Sequence, residues 1–228
     1  MPLDSRKALN LVGSDTSPEL LVNGPQNGRW TIALAHGAGA GMATPFMNVL
    51  AVGLAERGYR VARFEFPYMA DRSSGKRRPP DRETVLRDTW LKVIDKLGRR
   101  QLVIGGKSMG GRIASLVADE AAVAGLVCLG YPFHPVGKPT QLRTQHLEFI
   151  KTPTLILQGQ RDPFGGPAEV AGYHLPSTIR LHWLVDGDHS FKPRKSSGTT
   201  EAQNLETAIT EIDSFVRDLR SDKRPRDS

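Results

Sequence analysis

The sequence predicts an α/β architecture: a mainly parallel sheet with helices on both faces, no large cap domain, and one domain spanning residues 1–228. Three observations predict it. Short apolar runs alternate with longer segments whose apolar residues recur at helical spacing. Runs such as Leu102–Ile104 and Gly125–Leu129 are apolar without a polar alternate, the mark of strands covered on both faces. Only about twenty residues separate Leu129 from Pro153, too few for a sizeable cap, and 39% hydrophobic content in 228 residues fills one core without needing a second.

The elements follow in order. Leu20-Leu21-Val22, between Pro18 and the turn signal Asn23-Gly24-Pro25, reads as an edge strand. Trp30–Ala35 is a nearly continuous apolar strand that stops at the glycine-rich loop His36–Gly41. Thr44-Pro45 supplies an N-cap and a first-turn proline for a helix with Phe46, Leu50 and Leu54 on one face and Gly58 at its end. Tyr59–Phe66 is a strand broken by Pro67, and Met69–Pro80 is expected to be a polar loop. Asp81 is placed to cap a helix bearing Leu86, Trp90, Val93 and Leu97 on one face, with Gly98 beyond it. After the Leu102–Ile104 strand, Ile113, Leu116 and Val117 form a helical stripe. Strands are expected at Gly125–Leu129, Pro153–Gln158 and Ile179–Val185, with at most a short helix between Tyr131 and Ile150. Leu205, Ala208, Ile209, Ile212, Val216 and Leu219 mark a long amphipathic terminal helix. Residues 1–17 and 221–228 read as mobile ends.

Composition narrows the function. The one cysteine, Cys128, lies inside a strand run, so no internal disulfide forms, which suits a reducing, cytoplasmic setting. No apolar run approaches the length of a membrane span, and no membrane partner is expected. A net charge of +7 raises acidic partners. Its two concentrations, Arg72–Arg78 and Arg217–Arg226, lack the interleaved aromatics of a single-strand stacking surface, so nucleic acid is an unfavoured partner. The sequence leaves room for a homodimer. There is no H-E-x-x-H, no cysteine pair, no P-loop and no G-x-G-x-x-G, so neither metal nor cofactor is expected.

The chemistry centres on Ser108. Gly106-Lys107-Ser108-Met109-Gly110 fits G-x-S-x-G, in which a tight strand-to-helix turn lifts a hydroxyl above a sheet while glycines on either side avoid clashes. So short a pattern is decided by its context: a buried strand before it and an apolar helical stripe after it. A serine hydroxyl is a weak nucleophile unless a base takes its proton and a third group orients that base. His189, after the last strand, is the candidate base. Asp162, after the preceding strand and before Pro163, is the candidate orienting carboxylate, chosen over Asp186 and Asp188. The N–H groups of Met109 and Ala38 are the candidate oxyanion donors. Met42, Tyr68 and Phe133, with Met69 and Phe164, are expected to line an apolar pocket for a small-molecule substrate. His36 reads as a structural hydrogen-bonder, and Lys107 either meets an anionic substrate, tunes the serine, or points into solvent.

Taken together, the elbow at Ser108, the loop His36-Gly37-Ala38-Gly39, Asp162-Pro163 and Gly187-Asp188-His189 resemble the α/β-hydrolase superfamily, in which the chain order is serine, acid, histidine. Arg63–Met69 and Gly105–Arg112 resemble more narrowly the branch related to dienelactone hydrolases and to testis-expressed and chromatin-complex-associated hydrolase-fold proteins. The resemblance implies a serine hydrolase, here a small-ester or thioester hydrolase working through an acyl-serine. Because members of that branch serve as complex subunits, a binding or scaffold role without turnover is the alternative. Serine stands where dienelactone hydrolases use cysteine, so their substrate is not carried over.

Overall fold

A computed structural model describes residues 17–73, 75 and 78–221. The expected mobile ends therefore lie almost wholly outside the described residues, as do Lys76 and Arg77 of the basic stretch. Seven strands form one sheet: β1 (Leu21–Asn23), β2 (Thr31–Ala35), β3 (Arg60–Phe64), β4 (Leu102–Lys107), β5 (Gly125–Leu129), β6 (Thr154–Gly159) and β7 (Ile179–Leu184). Their spatial order is β1-β3-β2-β4-β5-β6-β7. Among the described strands only β1 is antiparallel, pairing with β3 at the edge. The chain winds outward from β2 to β3, then returns across β2 to β4 and continues the other way. The β2–β4 junction is thus the topological switch point, where diverging loops leave a crevice at the carboxyl ends of the strands.

Among the described residues six helices complete the fold: α1 (Pro45–Glu56), α2 (Pro67–Ser73), α3 (Glu83–Leu97), α4 (Met109–Val117), α5 (Pro167–Val170) and α6 (Glu201–Ser221), with a 3-10 turn at Leu147–Phe149. Helices α1 and α6 cover one face, where Leu50, Leu54, Ile209 and Ile212 pack on Ile32, Leu34 and Val127. Helices α3 and α4 cover the other, where Trp90, Val93, Ile113 and Val117 pack on Ala33, Phe64 and Ile104. Both layers are apolar and buried, which is why the central strands read as unbroken apolar runs. Among the described residues no helix is long and apolar enough to cross a membrane.

Local chemistry explains the helix ends. Thr44 caps α1 by accepting from Met47 N at 3.4 Å, and Pro45 fills the first turn. Two expectations are corrected. Residues 69–73 of the expected loop belong instead to helix α2, because the fixed φ of Pro67 suits a first helical position. Asp81 does not cap α3, whose N-cap position is Arg82 without a side-chain bond. Its carboxylate instead reaches back to Tyr68 N at 2.9 Å, satisfying an unpaired amide at the start of α2, and binds Arg78 at 2.8 Å. The described part of the basic stretch is engaged within the molecule: Arg78 also meets Asp71, and Arg72 lies over the Tyr68 ring.

Two histidines are held neutral inside this frame. His36 is fully buried, and its pKa is lowered, chiefly by that burial. His146, bonded to Ser115 Oγ at 2.7 Å, is lowered to about 4 by burial and then by the neighbouring Arg112 charge. Between pH 6.5 and about 4 the unfolded chain binds protons that the native chain refuses, so native stability is complete above 6.5 and is lost as the pH falls through that window. Urea unfolding followed from pH 7 to 4 is expected to show this loss, and His146→Gln is expected to make its slope shallower.

Candidate active site

The site is assembled by four loops at one rim of the sheet. Strand β4 ends at Lys107, and Ser108 turns directly into α4 with φ 50° and ψ −115°. A non-glycine residue at such dihedrals costs on the order of 1–3 kcal/mol and persists only where its surroundings enforce it. Here the enforcement is close packing. Gly106, at φ 150°, has no room for a side chain, since a Cβ would lie 2.2 Å from Ala35 O. Ser108 N also donates to Leu129 O at 2.9 Å, which fixes the turn to β5.

The β2 loop approaches from the other side of the switch point. His36 Nε2 accepts from Phe66 N at 3.1 Å, so its proton resides on Nδ1, which donates to Gly37 O at 2.7 Å. Tyr68 is buried, with its pKa pushed up to about 12 chiefly by desolvation, and its hydroxyl donates to Ala38 O at 3.0 Å. With their carbonyls held from behind, Gly37 and Ala38 are fixed beside Ser108. Met109 is the first residue of α4, where an amide has no partner within the helix. Neither the Ala38 nor the Met109 amide donates to a backbone group of the described residues.

The third and fourth loops bring the acid and the base. Asp162 Oδ2 accepts from His189 Nδ1 at 2.8 Å, and the carboxylate is fully buried. Its other oxygen accepts from Phe164 N at 2.9 Å. The rival carboxylates are occupied elsewhere: Asp186 binds Arg194 and Arg161, and Asp188 receives Ser190 N and Lys192 N. Phe164 lies against the imidazole with ring centroids 4.4 Å apart. Ser108 and His189 line one cavity of about 420 Å³, although no hydrogen bond joins them among the described residues. Residues 37–41, Phe46 and Met47 complete its mostly apolar wall.

The structure therefore brings together Ser108, Asp162, His189, Ala38 and Met109 and places Phe164 in the wall of the cavity, but it does not place the other four expected pocket residues there. Tyr68 lies behind the loop, as described. Phe133 is buried against Tyr131, Tyr173 and Gly165. Met42 lines a separate hollow with Glu65 and Pro67, and Met69 belongs to the core. Proximity to a rim loop in sequence was the wrong signal, because large aromatics at strand ends turn inward to fill the core. Phe46 and Met47 line the cavity instead, from the first turn of α1, whose helical periodicity pointed only to the core.

Lys107 also belongs to the site. Its side chain does not point into solvent: Nζ donates to His189 O at 2.5 Å and lies 5.7 Å from the centre of the Phe46 ring. Gly130 leaves the space, since a Cβ there would stand 3.0 Å from both Nζ and His189 O. Burial lowers the lysine pKa to about 8, against the opposing pull of Asp162 and Asp188. The ammonium thus ties the elbow strand to the loop that carries the imidazole.

A serine at a strand-to-helix elbow, a buried acid–imidazole pair and two free amides, set at the switch point of a mainly parallel sheet without a large cap, define an α/β-hydrolase-fold protein. Residues 28–217 match the family model described as an alpha/beta hydrolase domain, and the chain belongs to that family. The putative protein-lysine deacylase ABHD14B of Rattus norvegicus is 30% identical over 147 residues, covering 62% of this chain and 67% of that protein. Among solved structures, dienelactone hydrolase from Anabaena variabilis superposes with a TM-score of 0.67 at 20% identity, over 90% of this chain and 93% of its own. A serine hydrolase without a lid from Xanthomonas campestris gives 0.61 at 16%, over 92% and 90%. These structural likenesses carry the fold.

The half-buried lysine gives a stability test. Between pH 8 and 10.5 the unfolded chain keeps the Lys107 proton that the native chain releases, so native stability gains as the pH rises through that window. Denaturant unfolding of the wild type beside Lys107→Met is expected to show the wild type improving relative to the variant from pH 8 to 10.5.

Proposed function

We propose that the protein is a serine hydrolase that cleaves a small ester or thioester through an acyl-serine. The observation that carries this reading is the 2.8 Å bond from His189 Nδ1 to the buried Asp162, in a cavity that also holds the strained Ser108. An imidazole anchored at Nδ1 presents Nε2 as the basic nitrogen, and the acid fixes that tautomer and stabilises the imidazolium once it forms.

The steps follow from these positions. As substrate enters, the Ser108 hydroxyl closes onto His189 Nε2, Oγ bonds to the carbonyl carbon, and the hydroxyl proton passes to Nε2. The carbonyl oxygen becomes an oxyanion facing the Met109 and Ala38 amides, each such donor being worth roughly 3 kcal/mol in related chemistry. Collapse breaks the bond to the leaving oxygen or sulfur, which takes the proton from His189. Water then gives a proton to Nε2 as its oxygen attacks the acyl carbon, and Ser108 departs with that proton as the free acid forms. The mostly apolar wall of a cavity of about 420 Å³ supports a small or flexible organic group as the part bound there. Lys107 acts through His189 as a positioning residue.

A panel of short-chain esters and thioesters tests the reading. Turnover is expected in the wild type, with kcat reduced on the order of 10⁴-fold in Ser108→Ala and in Asp162→Asn. No turnover on any member of the panel, or turnover unchanged in Ser108→Ala, would exclude the reading.

A further inference from the structure

A second cleft, of about 350 Å³, opens on the same serine from the side of α3 and α4. It shares Ala38, Ser108 and Phe164 with the first cavity, and Met109 lies along it, but His189 and Lys107 do not. Its character also differs, because four charged side chains line it: Asp81, Glu83, Arg112 and Arg143.

Three of these charges already have an ion-pair partner within the molecule. Arg112 donates to Glu83 at 2.9 Å, and Asp81 is held by Arg78 and by Tyr68 N. Arg143 is different. It sits half-buried in the connection between β5 and β6, and its guanidinium makes no hydrogen bond or ion pair among the described residues. Both burial and the neighbouring Arg112 disfavour its charge. A half-exposed guanidinium that lines the cleft without an internal partner is available to an incoming group, and a carboxylate is the group whose planar geometry pairs with it bidentately.

The chemistry of the first cavity decides which end of a substrate would meet it. The leaving atom must receive its proton from His189, so it departs on the side of the cavity lined by His189, and the acyl group extends the other way. Resting on the acyl-serine reading above, we infer that the Arg143 cleft is an acyl subsite for a terminal carboxylate: the preferred substrates are half-esters or half-thioesters of short dicarboxylic acids, with the organic leaving group in the apolar cavity.

Two 4-nitrophenyl esters of like shape separate the charge from the bulk: the hemiglutarate and the neutral 5-methylhexanoate, each corrected for spontaneous hydrolysis. In the wild type, kcat/KM is expected to favour the hemiglutarate by at least about tenfold, as a charge-assisted pair should. In Arg143→Gln, checked for folding by circular dichroism, that ratio should fall to about one, and Arg143→Lys should keep part of it. Free glutarate binding, followed by NMR titration, provides a readout that needs no turnover and should weaken at least about tenfold in Arg143→Gln. Ser108-dependent turnover of both esters with equal kcat/KM would overturn the subsite and leave the serine hydrolase standing. If neither ester shows Ser108-dependent turnover, the hydrolase reading fails for these esters. The glutarate titration then decides the anion site alone: no binding by the wild type, or equal binding by Arg143→Gln, would overturn it.

Discussion

The structure depends on the close approach of β4 to β2 at the point where the strand order reverses. Gly106 leaves no space between its backbone and Ala35 O, so the chain leaving β4 must turn within one residue, and that residue is Ser108 at φ 50°. The strain is local, but it is distributed over the best-packed part of the molecule: Ala33 and Ile104 face each other in register, and α3 and α4 close over them. An elbow of this kind cannot relax without opening the centre of the sheet. That is why a hydroxyl can be held out of its preferred backbone state and aimed at a crevice.

Around that fixed point the other parts are tied by polar groups acting from behind. His36 and Tyr68 hold the carbonyls of Gly37 and Ala38, which leaves the opposite edge of the loop free to donate. Asp162 orients the His189 ring, while Lys107 holds the same residue by its backbone carbonyl. The lysine spans the elbow and the histidine loop, so two segments far apart in sequence share one half-buried cation. The histidine loop is anchored at both its side chain and its main chain, which supports the role of base proposed for His189.

Much of this was legible in the sequence, for identifiable reasons. Continuous apolar runs announced strands buried on both faces, and the Ser108 elbow and Asp162 each followed such a run, while His189 followed the alternating strand 179–184, so the rim on which they meet was implied by the parallel order. What was not legible depended on contacts between distant segments. Asp81 looked like a cap for the helix that follows it, but it caps the helix before, across a loop no local rule describes. Tyr68 and Phe133 looked like pocket residues because they lie near rim loops, yet both are consumed by packing. Lys107 and Arg143 each belong to a different cleft beside the serine, and nothing in their neighbours along the chain distinguishes them from solvated charges.

The central claim is that Ser108 is a nucleophile activated by His189, and covalent capture measures it most directly. The wild type and His189→Ala are exposed to a fluorophosphonate, and the adduct is located by peptide mass spectrometry with its rate of formation. The account predicts a single adduct on Ser108, formed about a thousandfold or more faster in the wild type than in the variant. No adduct, an adduct on another residue, or equal rates in the two proteins would contradict it.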